Sequence, residues 1–193
     1  MKKITIFLGG IIILILAGAV IFVFLTSGGD GKGINKYLPS TFSSTSEENK
    51  IIRLYFASPA GIFLVSEDRE LASWPAYVTE QAKEIIEELI KGPRIELIPT
   101  LPETTKIRET YFHKGILYLD MSGEMVKDHL KGTGGEWLTI FSIVNSIMTN
   151  LPSISGVQIL VEGRPITTLA GHIDATQPFK SDFSLIRERG REE

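Results

Sequence analysis

The chain has 193 residues, 20 basic against 23 acidic side chains, a net charge of −3 and no cysteine. The missing cysteine excludes disulfides, thiolate metal sites and lipidation on sulfur. The mild acidity argues against nucleic acid or an anionic lipid surface as a partner.

Met1, Lys2 and Lys3 precede an uncharged apolar run from Ile4 to Leu25. At ~1.5 Å per helical residue the run reaches roughly 33 Å, enough for a hydrocarbon core of ~30 Å. It predicts a single-pass anchor, residues 1–25, in the inner (cytoplasmic) membrane. The two lysines keep the N-terminus in the cytoplasm and place the remainder in the periplasm or extracytoplasmic space. A cleaved signal peptide is the rival reading, with cleavage after Ala19 in the small-residue stretch Ala17-Gly18-Ala19. The apolar continuation from Val20 to Leu25 exceeds what a signal peptide needs and favours the anchor. Residues 26–49 are dominated by Gly, Ser and Thr without an apolar period and predict a flexible linker.

From residue 50 to 175 the composition is that of one globular domain. Ile51–Ala57 reads as a strand, Pro59-Ala60-Gly61 as a turn and Ile62–Ser66 as the returning strand. Ala76–Lys91 predicts a helix with Val78, Ala82, Ile85, Ile86, Leu89 and Ile90 on one stripe, opened near Pro75 and stopped by Gly92-Pro93. Lys106–Phe112 and Ile116–Met121 predict a second hairpin. A second helix is expected over Gly135–Asn150, with Trp137, Phe141, Val144, Ile147, Met148 and Leu151 as its apolar face. Gly156–Glu162 and Ile166–Leu169 predict a last hairpin across Gly163-Arg164, with Pro165 putting the final strand at a rim. Residues 176–193 read as a charged, solvated C-terminal tail, with docking of Phe179, Phe183 and Ile186 as the alternative. The order ββαββαββ, with one apolar stripe per helix, predicts an α+β two-layer sandwich with two helices on one face of a small mixed sheet.

Short motifs recur along this frame in a fixed order: Gly92-Pro93 closing a helix, Leu101-Pro102 with Thr105, Tyr118 with Asp120 and Ser122, Glu136, Asn145, Glu162-Gly163, and Leu169 with Gly171-His172. Their order and spacing resemble the GerMN (sporulation and spore germination) domain family of bacterial envelope proteins. The resemblance implies a fold like the ring-building motif of secretion-system ring proteins. It also implies a role in the envelope. Many relatives are lipoproteins; here Leu16-Ala17-Gly18-Ala19 carries alanine where a lipobox has cysteine, so the apolar run must anchor the chain.

Thr133 and Glu136 fit a capping box at the start of the second helix. Asn145, mid-helix among apolar residues, is expected to tie the helix to a neighbouring segment. Asp120, His172 and Asp174 are the candidates for an acid–base or metal cluster, and Glu136 for a catalytic carboxylate. Each has a structural alternative, and His113, His129 and His172 form no ligand pair at metal spacing. No catalytic residue, cofactor or metal site is assigned on this basis. Three functions follow. The first is a non-enzymatic, membrane-anchored envelope module that contacts envelope proteins or itself, through the rim strand Ile166–Leu169 or an open sheet face. The second binds envelope polymer such as peptidoglycan, with Tyr55, Tyr111 and Tyr118 in a groove. The third is a hydrolase using Asp120, Glu136 and His172.

Overall fold

The computed structural model describes residues 49–128 and 133–188. The expected anchor over residues 1–25 and almost all of the expected linker lie outside the described residues. Among the described residues no helix is long and apolar enough to cross a membrane.

Strands β1 (Lys50–Ala57) and β2 (Leu64–Leu71) pair antiparallel as one sheet. Helix α1 (Val78–Ile90) buries Ala82, Ile85, Ile86 and Leu89 on the expected stripe. It ends where Gly92 takes φ +77°, a left-handed conformation that a side chain would strain. Strands β3 (Ile107–His113) and β4 (Ile116–Met121) form a hairpin whose two-residue turn, Lys114-Gly115, has positive φ at both positions. A short helix α2 (Glu124–Lys127) and the long helix α3 (Thr133–Asn150) follow. Strands β5 (Gly156–Val161) and β6 (Arg164–Pro165) complete a four-stranded sheet of order β3-β4-β5-β6, mixed because β4 and β5 run parallel. Leu117, Leu119, Met121, Val157 and Ile159 turn one face of that sheet into the core, which Ile140, Ile143, Val144 and Ile147 of α3 share. The α+β sandwich is as expected. Its strands, however, divide between two sheets.

The reason lies on α3. Ser142, Ser146 and Asn150 recur every four residues on one helical face and close the outer edge of β1. Asn150 accepts from the Arg53 N–H at 2.9 Å and donates to the Arg53 carbonyl at 2.7 Å. Ser146 Oγ accepts from the Tyr55 N–H, and Ser142 Oγ donates to the Tyr55 carbonyl. Ala57 exchanges both backbone bonds with Ile98. A helix thus satisfies backbone groups that a third strand would otherwise take. Burial of Ser142, Asn145 and Ser146 makes α3 interior on nearly all sides, beyond the single apolar face expected. Trp137, placed on that face, is 38% exposed.

Strand β2 runs on to Leu71, past the expected end at Ser66, because its charged half is built inward. Glu67 and Arg69 stand opposite Leu54 and Ile52 and are both buried. The Arg69 guanidinium donates to Glu67 Oε1, Glu88 Oε2 and the carbonyls of Glu88 and Gly92 at the end of α1. It also lies 5.3 Å from the Phe56 ring centroid.

Two expectations fail toward the C-terminus. Ile166–Leu169 is not a strand: β6 stops at Pro165, which has no N–H to extend a ladder, and the Leu169 N–H bonds a side chain instead. Residues 176–188 are not a solvated tail. Phe179 exchanges two backbone bonds with Val157, Ile186 bridges to Leu64 on β2, and Phe183–Leu185 form a 3-10 turn. Asn145 makes the tie expected of a buried amide: it donates to the Asp182 carbonyl at 2.8 Å and accepts the Asp182 N–H at 3.0 Å. The domain therefore runs past residue 175.

Candidate functional site

Glu136 and His172 do meet. Glu136 is fully buried on the first turns of α3. Its Oε1 accepts the N–H groups of Leu169 and Ala170, each at 2.9 Å. Its Oε2 accepts the His172 N–H at 2.9 Å and lies 3.2 Å from His172 Nδ1. Burial pushes the carboxyl upward, but the N–H groups of Ala170, His172, Leu169 and Ile173 outweigh it and hold the group below the ordinary range. The carboxylate is thus the organising centre of the loop after β6, wrapped in backbone donors as an anion would be. The capping box is corrected by this geometry: Glu136 serves that loop, while the Thr133 side chain lies outside the described residues.

Asp120 works elsewhere. Its Oδ1 accepts the Gly163 N–H at 2.8 Å and its Oδ2 accepts Arg108 Nε at 3.1 Å. It pins the β5–β6 turn, where Glu162 and Gly163 both have positive φ. Glu162 Oε1 accepts the Gly123 N–H, and its Oε2 takes Arg108. No hydrogen bond or ion pair joins Asp120 to Glu136 or His172 among the described residues. The three hydrolase candidates therefore split into a pair and a separate turn anchor. A general base needs a lone pair free for substrate, and the Glu136 oxygens are occupied by the protein's own amides. No group of three or more His, Asp or Glu able to hold a metal occurs among the described residues.

The proposed aromatic groove also divides. Tyr55 is buried, its hydroxyl 3.3 Å from Thr149 Oγ1. Tyr111 and Tyr118 remain as a cross-strand pair on the second sheet.

A different feature is concave and apolar. Gly61 and Ile62 at the β1–β2 turn, Gly134, Trp137 and Leu138 on α3, and Asp182 and Leu185 of the C-terminal segment line a cleft of about 370 Å³. Trp137 stacks on Phe141 with ring centroids 4.9 Å apart, and Phe141 meets Phe179 edge-on at 6.0 Å. The wall is thus rooted in the core. Ile62 is 71% exposed at this cleft, and Phe183, 55% exposed, lies in the same 3-10 turn as Leu185. Sequence reasoning missed Ile62 as a surface residue because the returning strand was expected to begin there, whereas β2 begins at Leu64. The apolar spacing of Phe179, Phe183 and Ile186 was the available signal for the opposite wall.

A family model described as sporulation and spore germination (Germane) matches residues 53–167. The chain belongs to this family. The Germane match runs from within β1 to just past β6, so α1, α3, the four-stranded sheet and most of the first sheet lie within it. Among solved structures, the first GerMN domain of the sporulation protein GerM from Bacillus subtilis is similar at 19% identity and a TM-score of 0.55, covering 68% of this chain and 97% of that one. The tandem GerMN domains of the same protein align at 17% identity and a TM-score of 0.50, covering 69% of this chain and 45% of that one. These two likenesses support the fold alone. A Clostridium perfringens protein described as a candidate lipoprotein matches at 25% identity and a TM-score of 0.50, covering 68% of this chain and 87% of that one. No curated protein matches the chain.

Proposed function

We propose that this Germane-family chain is a membrane-anchored, non-enzymatic protein of the cell envelope that acts by contact with another envelope protein. The observation that carries the reading is the apolar cleft, with Ile62 exposed at its rim and Trp137 in its wall. An exposed apolar site on a rigid wall is the chemistry of an interface anchor pocket. The polar candidates, in contrast, spend their hydrogen-bonding capacity inside the domain. The description of the Clostridium perfringens relative as a candidate lipoprotein supports an envelope location. The apolar run Ile4–Leu25 supports the anchor, with the domain outside the cytoplasmic membrane.

Two outcomes test this. The mature protein should retain residues 1–19 and sediment with membranes; N-terminal sequencing that starts at Val20 would remove the anchor. Ile62→Glu should abolish function and leave the melting temperature within about 2 °C, because exposed surface substitutions change stability by only a few tenths of a kcal/mol. Full function in that variant would overturn the contact reading.

A further inference from the structure

The second sheet ends on β3, and the edge of β3 is open. The Lys114-Gly115 turn makes His113–Ile116 the closing hydrogen-bonded pair, so Tyr111 also bonds toward β4. The backbone groups of Thr110 and Phe112 therefore point away from the sheet, and they have no partner among the described residues. Helix α1 does not fill this edge. Thr110 stands opposite buried Leu119, so its side chain lies on the core face, where its hydroxyl bonds the Thr79 carbonyl. Helix α1 thus covers a face of the sheet. The strand itself is open: Glu109, Tyr111, Phe112 and His113 are all exposed, Tyr111 at 53%.

We infer that β3 pairs antiparallel with β3 of a second copy of this chain, about a two-fold axis at Tyr111. The strand is self-complementary in that register. Thr110 of each copy faces Phe112 of the other, and their outward N–H and C=O groups make four hydrogen bonds. Glu109 faces the second copy's His113, a carboxylate opposite an imidazole. Tyr111 faces Tyr111, and each already neighbours Tyr118 within its own sheet, so the pairing builds a row of four tyrosines. The irregularity between Ile107 and Glu109 ends the flat stretch and limits the pairing to this segment. This edge is separate from the apolar cleft, with no lining residue in common.

The cysteine-free chain allows a direct test in detergent-solubilised full-length protein. Tyr111 sits at the non-hydrogen-bonded pair, where opposed Cα atoms are ~4.5 Å apart, inside the disulfide range of ~4.4–6.8 Å. Tyr111→Cys should form a disulfide dimer about tenfold or more faster than Tyr77→Cys, an exposed control off the strand, because pairing raises the local thiol concentration. Adding Thr110→Pro, which removes an outward N–H and no ladder bond, should abolish the difference. Phe112→Lys is the second blocking variant should the proline variant not fold. Equal rates at Tyr111 and Tyr77, or a Tyr111 disulfide that persists in a folded blocked variant, would overturn the pairing.

Discussion

Arg69→Met is expected to cost about 3–5 kcal/mol, a fall in Tm of roughly 10–20 °C. The guanidinium has five N–H donors, and every one is directed at a carboxylate or carbonyl in a buried site. Removing it leaves the buried Glu67 and Glu88 carboxylates and the last carbonyls of α1 without their main cation. Lys91 and Arg94 still approach Glu88, at 2.5 and 3.3 Å, so the loss is partial there and larger at Glu67. Arg69→Lys should recover only part of the stability, because one ammonium cannot reach both carboxylates and both carbonyls. The double variant Glu67→Leu/Arg69→Met should be less destabilised than the sum of the singles, since it orphans one charge fewer. Thermal melts of the set decide. A near-wild-type Tm for Arg69→Met would mean that the network does not hold β2 to α1.

Glu136→Ala should cost a similar amount, about 3–5 kcal/mol. Each buried donor left unsatisfied costs roughly 1–3 kcal/mol, reduced where the loop relaxes or hydrates. An ordinary helix cap would cost only ~1 kcal/mol, so the size of the loss separates the two roles of this residue. The pH dependence has a definite sign. The folded-state pKa of Glu136 lies below its unfolded value, so its stabilisation is present above the ordinary carboxylate range and is lost as pH falls through the folded value. Glu88 contributes in the same direction: burial raises its pKa, and Lys91 and Arg69 more than offset this. Glu136→Gln should therefore show its full deficit at neutral pH and a shrinking deficit below about pH 4. A deficit that stays constant from neutral to acid pH would contradict the charged, amide-wrapped carboxylate.

The legible parts of the fold were those written in apolar periodicity. Ala82, Ile85, Ile86 and Leu89 marked α1, and the alternation Leu117, Leu119, Met121 marked β4. What sequence concealed were polar residues used inside. The expected strand stops at Ser66 because nothing local reveals that the charged Glu67 and Arg69 pair in the core. Ser142, Ser146 and Asn150 fall outside the apolar face expected of the helix, and their partner is the edge of a strand some ninety residues earlier. Glu136 matched a local motif and was claimed by a loop more than thirty residues later. The candidate cleft was hidden for a related reason. Ile62, Trp137 and Leu185 come from three distant segments, and its far wall required the C-terminal segment to dock. Long-range polar contacts carry no periodic signature, whereas apolar burial does.

The contact reading is tested most directly by complementing a deletion strain with full-length Ile62→Glu and His172→Ala, both matched for expression and melting temperature. Ile62→Glu alters only an exposed apolar side chain at the cleft. His172→Ala removes the imidazole facing Glu136 while keeping the backbone N–H that the carboxylate needs. Loss of function in Ile62→Glu with normal function in His172→Ala is the predicted result. Normal function in Ile62→Glu with loss in a stably folded His172→Ala protein would contradict it, and would move the site from the cleft to the Glu136–His172 pair.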